Sequence, residues 1–154
     1  MPQLVKGCKY VFGWSQVSSG GRIEIPPEAF IEYHFQVGEK IILMSGSKTS
    51  GGFGVTKCKS LRESQLSALL RRCPELADFR VPEGIVIKLN GRTYCWVTIS
   101  EMNITVPEIT LAHFGIKQGD YLLAVRGSGL ALGFIVRGPI IEEAQKHPEI
   151  EIYE

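Results

Sequence analysis

The sequence predicts a mainly β fold with short helices, an α+β chain in which one small unit is built twice. Three observations predict it. A stretch around residues 19–57 recurs around residues 100–138 under an ungapped shift of 81 positions. Both stretches alternate short β-branched and aromatic runs with glycine-marked turns. Each carries a proline where a strand hands over to a helix, because proline cannot donate to a sheet ladder but is pre-set for a first helical turn.

The superposition runs through the places where backbone geometry is demanding. Ser19 falls on Ser100, Ile23 on Ile104, Pro26 on Pro107 and Gly38 on Gly119. Gly46-Ser47 falls on Gly127-Ser128, Gly52-Phe53 on Gly133-Phe134, and Val55 on Val136. Internal repetition of this kind decides the architecture before any single element is assigned.

Each element follows from its residues. Residues 10–17 and 93–99 have strand composition, with Trp14 and Trp96 on equivalent strands. Ser18–Gly21 is a turn in the first copy, and Ser100-Glu101-Met102 replaces it in the second. Residues 22–25 and 103–106 are short strands whose apolar residues alternate, Ile23/Ile25 and Ile104/Val106. Residues 27–35 and 108–114 form short helices with apolar faces at Ala29, Phe30 and Tyr33, and at Leu111 and Phe114. Gly38-Glu39 and Gly119-Asp120 turn the chain back into buried strands at 40–44 and 121–125. Hairpin turns at Gly46-Ser47 and Gly127-Ser128-Gly129 lead to final strands at 52–57 and 131–137.

A different segment lies between the copies. Ser60-Leu61-Arg62-Glu63 has the S-x-x-E capping-box pattern, followed by an apolar stripe at Leu61, Leu66, Leu69 and Leu70. This predicts a helix of about twelve residues, ended by Cys73-Pro74. Asn90-Gly91 between two strand-like runs is a two-residue hairpin signal. A helix over about 140–146 follows the second copy, stopped by Pro148, and residues 150–153 read as an edge strand or tail. The chain therefore divides into a first repeat (1–59), a helical connector (60–80), and a second repeat with a C-terminal helix and tail (81–154).

Composition narrows the function classes. The chain has 154 residues, 44% hydrophobic and 21% charged, which is ordinary for a globular protein. No apolar run approaches the roughly 18 residues a membrane span needs, and the first residues lack the apolar core of a signal peptide. The expectation is a soluble, cytoplasmic protein with no membrane partner. Cys8, Cys58, Cys73 and Cys95 form no C-x-x-C pair, and His34, His113 and His147 are scattered, so no metal site and no cofactor are expected. Net charge is +1, but residues 1–80 hold eleven Lys+Arg against seven Asp+Glu and residues 81–154 hold six against nine. Any contact with a polyanion should be local and favour the first half.

The pattern G-R-I-x-I-P, short helix, G-[DE]-x-[IL]-x-L, hairpin resembles the AbrB/SpoVT/MazE family of swapped-hairpin barrels. Gly21–Pro26 and Gly38–Leu43 carry it in the first copy, and Asn103–Pro107 and Gly119–Leu123 in the second. In that family two chains exchange hairpins to complete a β-barrel, since a unit of about 45 residues buries too little apolar surface alone. The resemblance implies a swapped-hairpin barrel formed as a single-chain pseudo-dimer, monomeric or further dimerised. It also implies a DNA-binding transcriptional regulator that contacts double-stranded DNA through basic residues of the first hairpin. The residues placed to do so are Lys6, Lys9 and Arg22, with Arg92 as a candidate from the second half. The second copy has Asn103 where the first has Arg22, so contact should be asymmetric. A protein-interaction module, antitoxin-like or a regulatory subunit, is the alternative.

Other candidate chemistry is sparse. Gly127-Ser128-Gly129 lacks the following G-K-[ST] of a phosphate loop. Glu142-Glu143 has no partner acid or histidine set by sequence. Ser128, His113 and Asp120 form no triad by spacing alone. An enzyme is not expected.

Overall fold

A computed structural model of the chain describes residues 3–5, 9–59, 67–89, 91–126 and 131–154. In chain order the first half comprises β1 (Gln3–Val5), β2 (Lys9–Gln16), a 3-10 turn (Ser19–Gly21), β3 (Arg22–Glu24), α1 (Pro27–Glu32), β4 (Lys40–Ser45) and β5 (Phe53–Lys57). Two short connector helices follow, α2 (Ser67–Arg72) and α3 (Pro74–Ala77). The second half comprises β6 (Ile87–Leu89), β7 (Arg92–Thr98), β8 (Asn103–Thr105), α4 (Glu108–His113), β9 (Tyr121–Arg126), β10 (Leu132–Ile135), α5 (Pro139–Ala144) and β11 (Ile152–Tyr153). The molecule is thus mixed α+β and mostly strand.

Strand pairing crosses between the halves. One sheet runs β1-β2-β9-β10-β5-β4-β7-β6, with β11 added beside β2, and its path is open. β2 of the first half pairs with β9 of the second, and β7 of the second pairs with β4 of the first. Two further pairs join equivalent strands to each other: β3 with β8, centred on Ile23 opposite Ile104, and β5 with β10, centred on Gly54 opposite Gly133. These pairs lie on a pseudo-two-fold axis. Neither half could satisfy its own strand edges alone.

The turns show why both copies keep the same residues. The Gly38 N–H donates to the Ile99 carbonyl and the Gly119 N–H to the Val17 carbonyl, each at 2.8 Å. Both glycines hold positive φ, 86° and 92°, where a Cβ is disfavoured. The following acid caps its own turn: the Gln36 N–H donates to Glu39 Oε1 at 3.1 Å, and the Lys117 N–H to Asp120 Oδ2 at 3.0 Å. Reciprocal bonds also tie the halves at the ribbon, Ile25 N–H to Met102 O at 2.8 Å and Val106 N–H to Gly21 O at 3.0 Å.

The pairing register corrects the frame of the repeat. Ser45 lies opposite Phe53 and Arg126 opposite Leu132. Ser45 and Arg126 correspond under the shift of 81, so Phe53 corresponds to Leu132 and the final strands are related by 79. The superposition of Phe53 on Phe134 and Val55 on Val136 is therefore two residues out. The connecting loop shortened in the second copy, and loops accept such deletions more readily than strands do. Phe53 and Phe134 are instead cross-strand partners one residue beside the axis, with ring centroids 5.4 Å apart.

Alternation along the strands makes three apolar clusters. Ile41, Leu43, Leu122 and Ala124 face inward with Ile23, Ile104, Phe53 and Phe134, forming the shared interior. Ile42 and Met44 face outward on the first side, where Cys73, Leu76, Tyr94 and Trp96 join them. Leu123 and Val125 face outward on the other, with Val11, Ile135, Ile141, Ala144 and Ile150. The connector covers the first outer cluster, and α5 with the tail covers the second.

The helices are shorter than the sequence suggests. α1 and α4 each end where the chain needs a left-handed residue, His34 (φ 57°) and Gly115 (φ 76°). The capping box at Ser60–Glu63, the residues Leu61 and Leu66, and the Gly127-Ser128-Gly129 turn lie outside the described residues. Leu69 and Leu70 fall on α2, and Pro74 starts a separate turn of helix. The predicted tail strand is β11, which runs parallel to β2 with Ile152 opposite Trp14.

Candidate nucleic-acid interface

The β3–β8 ribbon carries Arg22, the candidate contact residue of the first hairpin. Its inner positions, Ile23 and Ile104, are fully buried. Its outer positions pair Arg22 with Thr105 and Glu24 with Asn103. The Arg22 side chain is 49% exposed, with its Nε 3.6 Å from Glu24 Oε1. An exposed pair of this kind contributes about 0–1 kcal/mol to stability, but it offsets the only guanidinium on the ribbon. Its pseudo-two-fold counterpart is the uncharged Asn103.

Lys9 and Arg92 open β2 and β7, opposite Val5 and Leu89 respectively. The pairing frame makes them equivalent positions on opposite halves. β7 runs seven residues from Arg92 before the chain turns toward β8, roughly 20 Å of strand. The structure therefore relates Lys9 to Arg92 by pseudo-symmetry and keeps both strand starts apart from Arg22. Lys6 lies outside the described residues.

Several other cations are engaged in holding the fold. Arg126 makes a two-pronged contact with Glu32 across the halves. The Lys57 ammonium sits 3.4 Å from Glu39 and also donates to the His34 carbonyl. Arg137 donates twice to the Lys48 carbonyl, at 2.9 and 3.2 Å. Neutralisation of Arg22 by Glu24 was legible in the sequence, since residues two apart on a strand share a face.

Three cysteines fall among the described residues. Burial pushes the Cys95 thiol up to about 12, which keeps it protonated. Cys73 is buried and Cys58 partly so, and Cys8 lies outside the described residues. Among the described residues, no three His, Cys, Asp or Glu side chains are grouped to hold a metal ion. No helix among them is long and apolar enough to cross a membrane. Comparisons with models of known families, with curated proteins and with solved structures each returned no match.

Proposed function

We propose that the chain is a single-chain, pseudo-dimeric swapped-hairpin barrel of the AbrB/SpoVT type that acts as a cytoplasmic DNA-binding transcriptional regulator. The observation that carries this reading is the position of Arg22, exposed on a two-stranded ribbon that lies on the pseudo-two-fold axis. A two-stranded ribbon has the width of the B-DNA major groove. Strand exchange between the halves, β2 with β9 and β4 with β7, supports the barrel part of the proposal.

The ribbon's charge sets the strength expected. With one guanidinium partly offset by Glu24, binding should be weak, asymmetric and carried by few phosphate contacts. Fluorescence anisotropy on a labelled duplex should show log K falling with log salt at a slope of about −1 to −4. Arg22→Ala should weaken binding about three- to tenfold and make the slope shallower. Absence of binding at low salt, or binding indifferent to salt, would falsify the reading.

A second reading has its own observation. Glu24 beside Arg22 and Asn103 at the equivalent position leave the ribbon nearly neutral, as suits a protein-interaction module. A stoichiometric protein partner, together with no measurable duplex binding, would select it.

A further inference from the structure

The two outer layers of the sheet are pseudo-equivalent and both are covered, but Trp96 is sealed in the first whereas, among the described residues, Trp14 in the second borders an open groove. Trp96 lies opposite Ile42 and Trp14 opposite Leu123, so the two indoles occupy equivalent positions. The connector closes over Trp96. Phe79 meets its ring edge-on with centroids 5.4 Å apart. The Lys40 ammonium stands 5.2 Å from the indole and 5.5 Å from the Phe79 ring. The indole N–H donates to the Val81 carbonyl at 2.6 Å, leaving the residue 8% exposed.

Among the described residues, none of these three partners exists around Trp14. Tyr121, 46% exposed, stands at the position of Lys40. No aromatic side chain caps the Trp14 ring among the described residues, and its N–H meets no acceptor there. Instead Trp14, Tyr121, Val136, Ile141, Gln145 and Ile152 line an open groove of about 260 Å³. That is below the roughly 300–1,000 Å³ of small-molecule sites and suits one or two side chains. Ile152 is 53% exposed at its edge.

Charge says which occupant. The segment covering Trp96, residues 58–89, has six Lys+Arg against four Asp+Glu. The segment around Trp14, residues 137–154, has two Lys+Arg against five Glu. Exposed Glu142 lies one turn from Gln145 on α5, and exposed Glu151 adjoins Ile152. A cation is therefore attracted to the rim, and the exposed Tyr121 ring and the half-buried Trp14 ring can receive it.

We propose that the Trp14 groove is a docking site for a partner polypeptide presenting an aromatic side chain next to a lysine or arginine. The chain supplies its own template for this occupant in Phe79 and Lys40 over Trp96. None of the groove's lining residues belongs to the ribbon, and the proposal does not depend on DNA binding.

The test is a titration of the full chain with the peptides acetyl-Phe-Lys-amide, acetyl-Phe-Glu-amide and acetyl-Ala-Lys-amide, followed by two-dimensional NMR of the indole N–H signals. The expected result is saturable movement of the Trp14 signal with Trp96 unmoved, and the Phe-Lys peptide binding about tenfold tighter than either control. Tyr121→Lys, at an exposed site, restores the first half's ammonium and should abolish that preference while the spectrum stays folded. Ile152→Asp should weaken binding of the Phe-Lys peptide through loss of the apolar edge. Equal binding of all three peptides, or a preference that survives Tyr121→Lys, would overturn the proposal. So would concentration-dependent self-association that shields Trp14 against every peptide, which would assign the groove to a second copy.

Discussion

Trp96 and Trp14 occupy equivalent places on the same sheet, and their surroundings could hardly differ more. One is sealed by a ring, an ammonium and a carbonyl acceptor; the other borders an open groove. Inward-facing residues show no such divergence: Ile41 and Leu43 match Leu122 and Ala124, all fully buried. The interior is shared across the axis, so a change there is felt by both halves. Each outer layer faces its own covering segment and was free to change alone. The asymmetry of this protein is therefore concentrated on its outside.

The interior gives the largest expected effect. Phe53→Ala and Phe134→Ala should each cost about 3–5 kcal/mol, and by similar amounts, because the two rings are fully buried cross-strand partners in one interior. Urea unfolding followed by circular dichroism measures this; a large inequality would break the claim of a shared core. Next come the indoles. Trp96→Ala should cost about 3 kcal/mol and Trp14→Ala about 1–2 kcal/mol, in proportion to the ring surface each buries. Equal losses in the same assay would mean that the groove beside Trp14 closes in solution.

Smaller changes sharpen the comparison. His34 and Gly115 hold the same left-handed position after α1 and α4, but only one is glycine. His34→Gly should raise stability by about 0.5–1 kcal/mol, read as a higher thermal midpoint. Lys40→Ala should cost about 0.5–1 kcal/mol through lost cation–π contact, whereas Tyr121→Ala should change stability by less.

The smallest effect is a pH dependence confined to the second half. Hydrogen bonds to Glu149, then Glu143, raise the half-exposed His147 above the ordinary 6.5. A raised folded-state value means that its contribution is complete below 6.5 and is lost as pH rises through the raised value. Glu149 is lowered, chiefly by a backbone hydrogen bond and then by His147. Its contribution is present above the ordinary carboxylate value and lost as pH falls through the lowered one. The contact thus acts between these limits. In an NMR titration the His147 midpoint should drop in Glu149→Gln; an unchanged midpoint would remove Glu149 as the main cause.

Much of the architecture was legible locally. Pro26 and Pro107, Gly38 and Gly119, and the acids after those glycines mark turns whose geometry is settled within a few residues. β6 and β7 pair antiparallel with Leu89 opposite Arg92, while Asn90 of the hairpin dipeptide lies outside the described residues. The candidate site was legible in part: Arg22 is exposed as expected, but Lys9 and Arg92 stand at strand starts that no local pattern could place relative to it. The two-residue slip in the final strands also escaped the sequence. An ungapped superposition follows glycine and phenylalanine identities, whereas the true frame is set by which carbonyl each strand pairs with.

By itself, then, the sequence determined that one unit occurs twice, where each copy turns, and which faces of its strands are apolar. These depend on local sterics and on a period of two along the chain. Only the tertiary structure decided that the halves exchange strands, that Phe53 meets Phe134, and that Trp96 is covered while Trp14 is open. Those outcomes depend on contacts between residues well separated along the chain, where register and the covering segment decide what an identical side chain can reach.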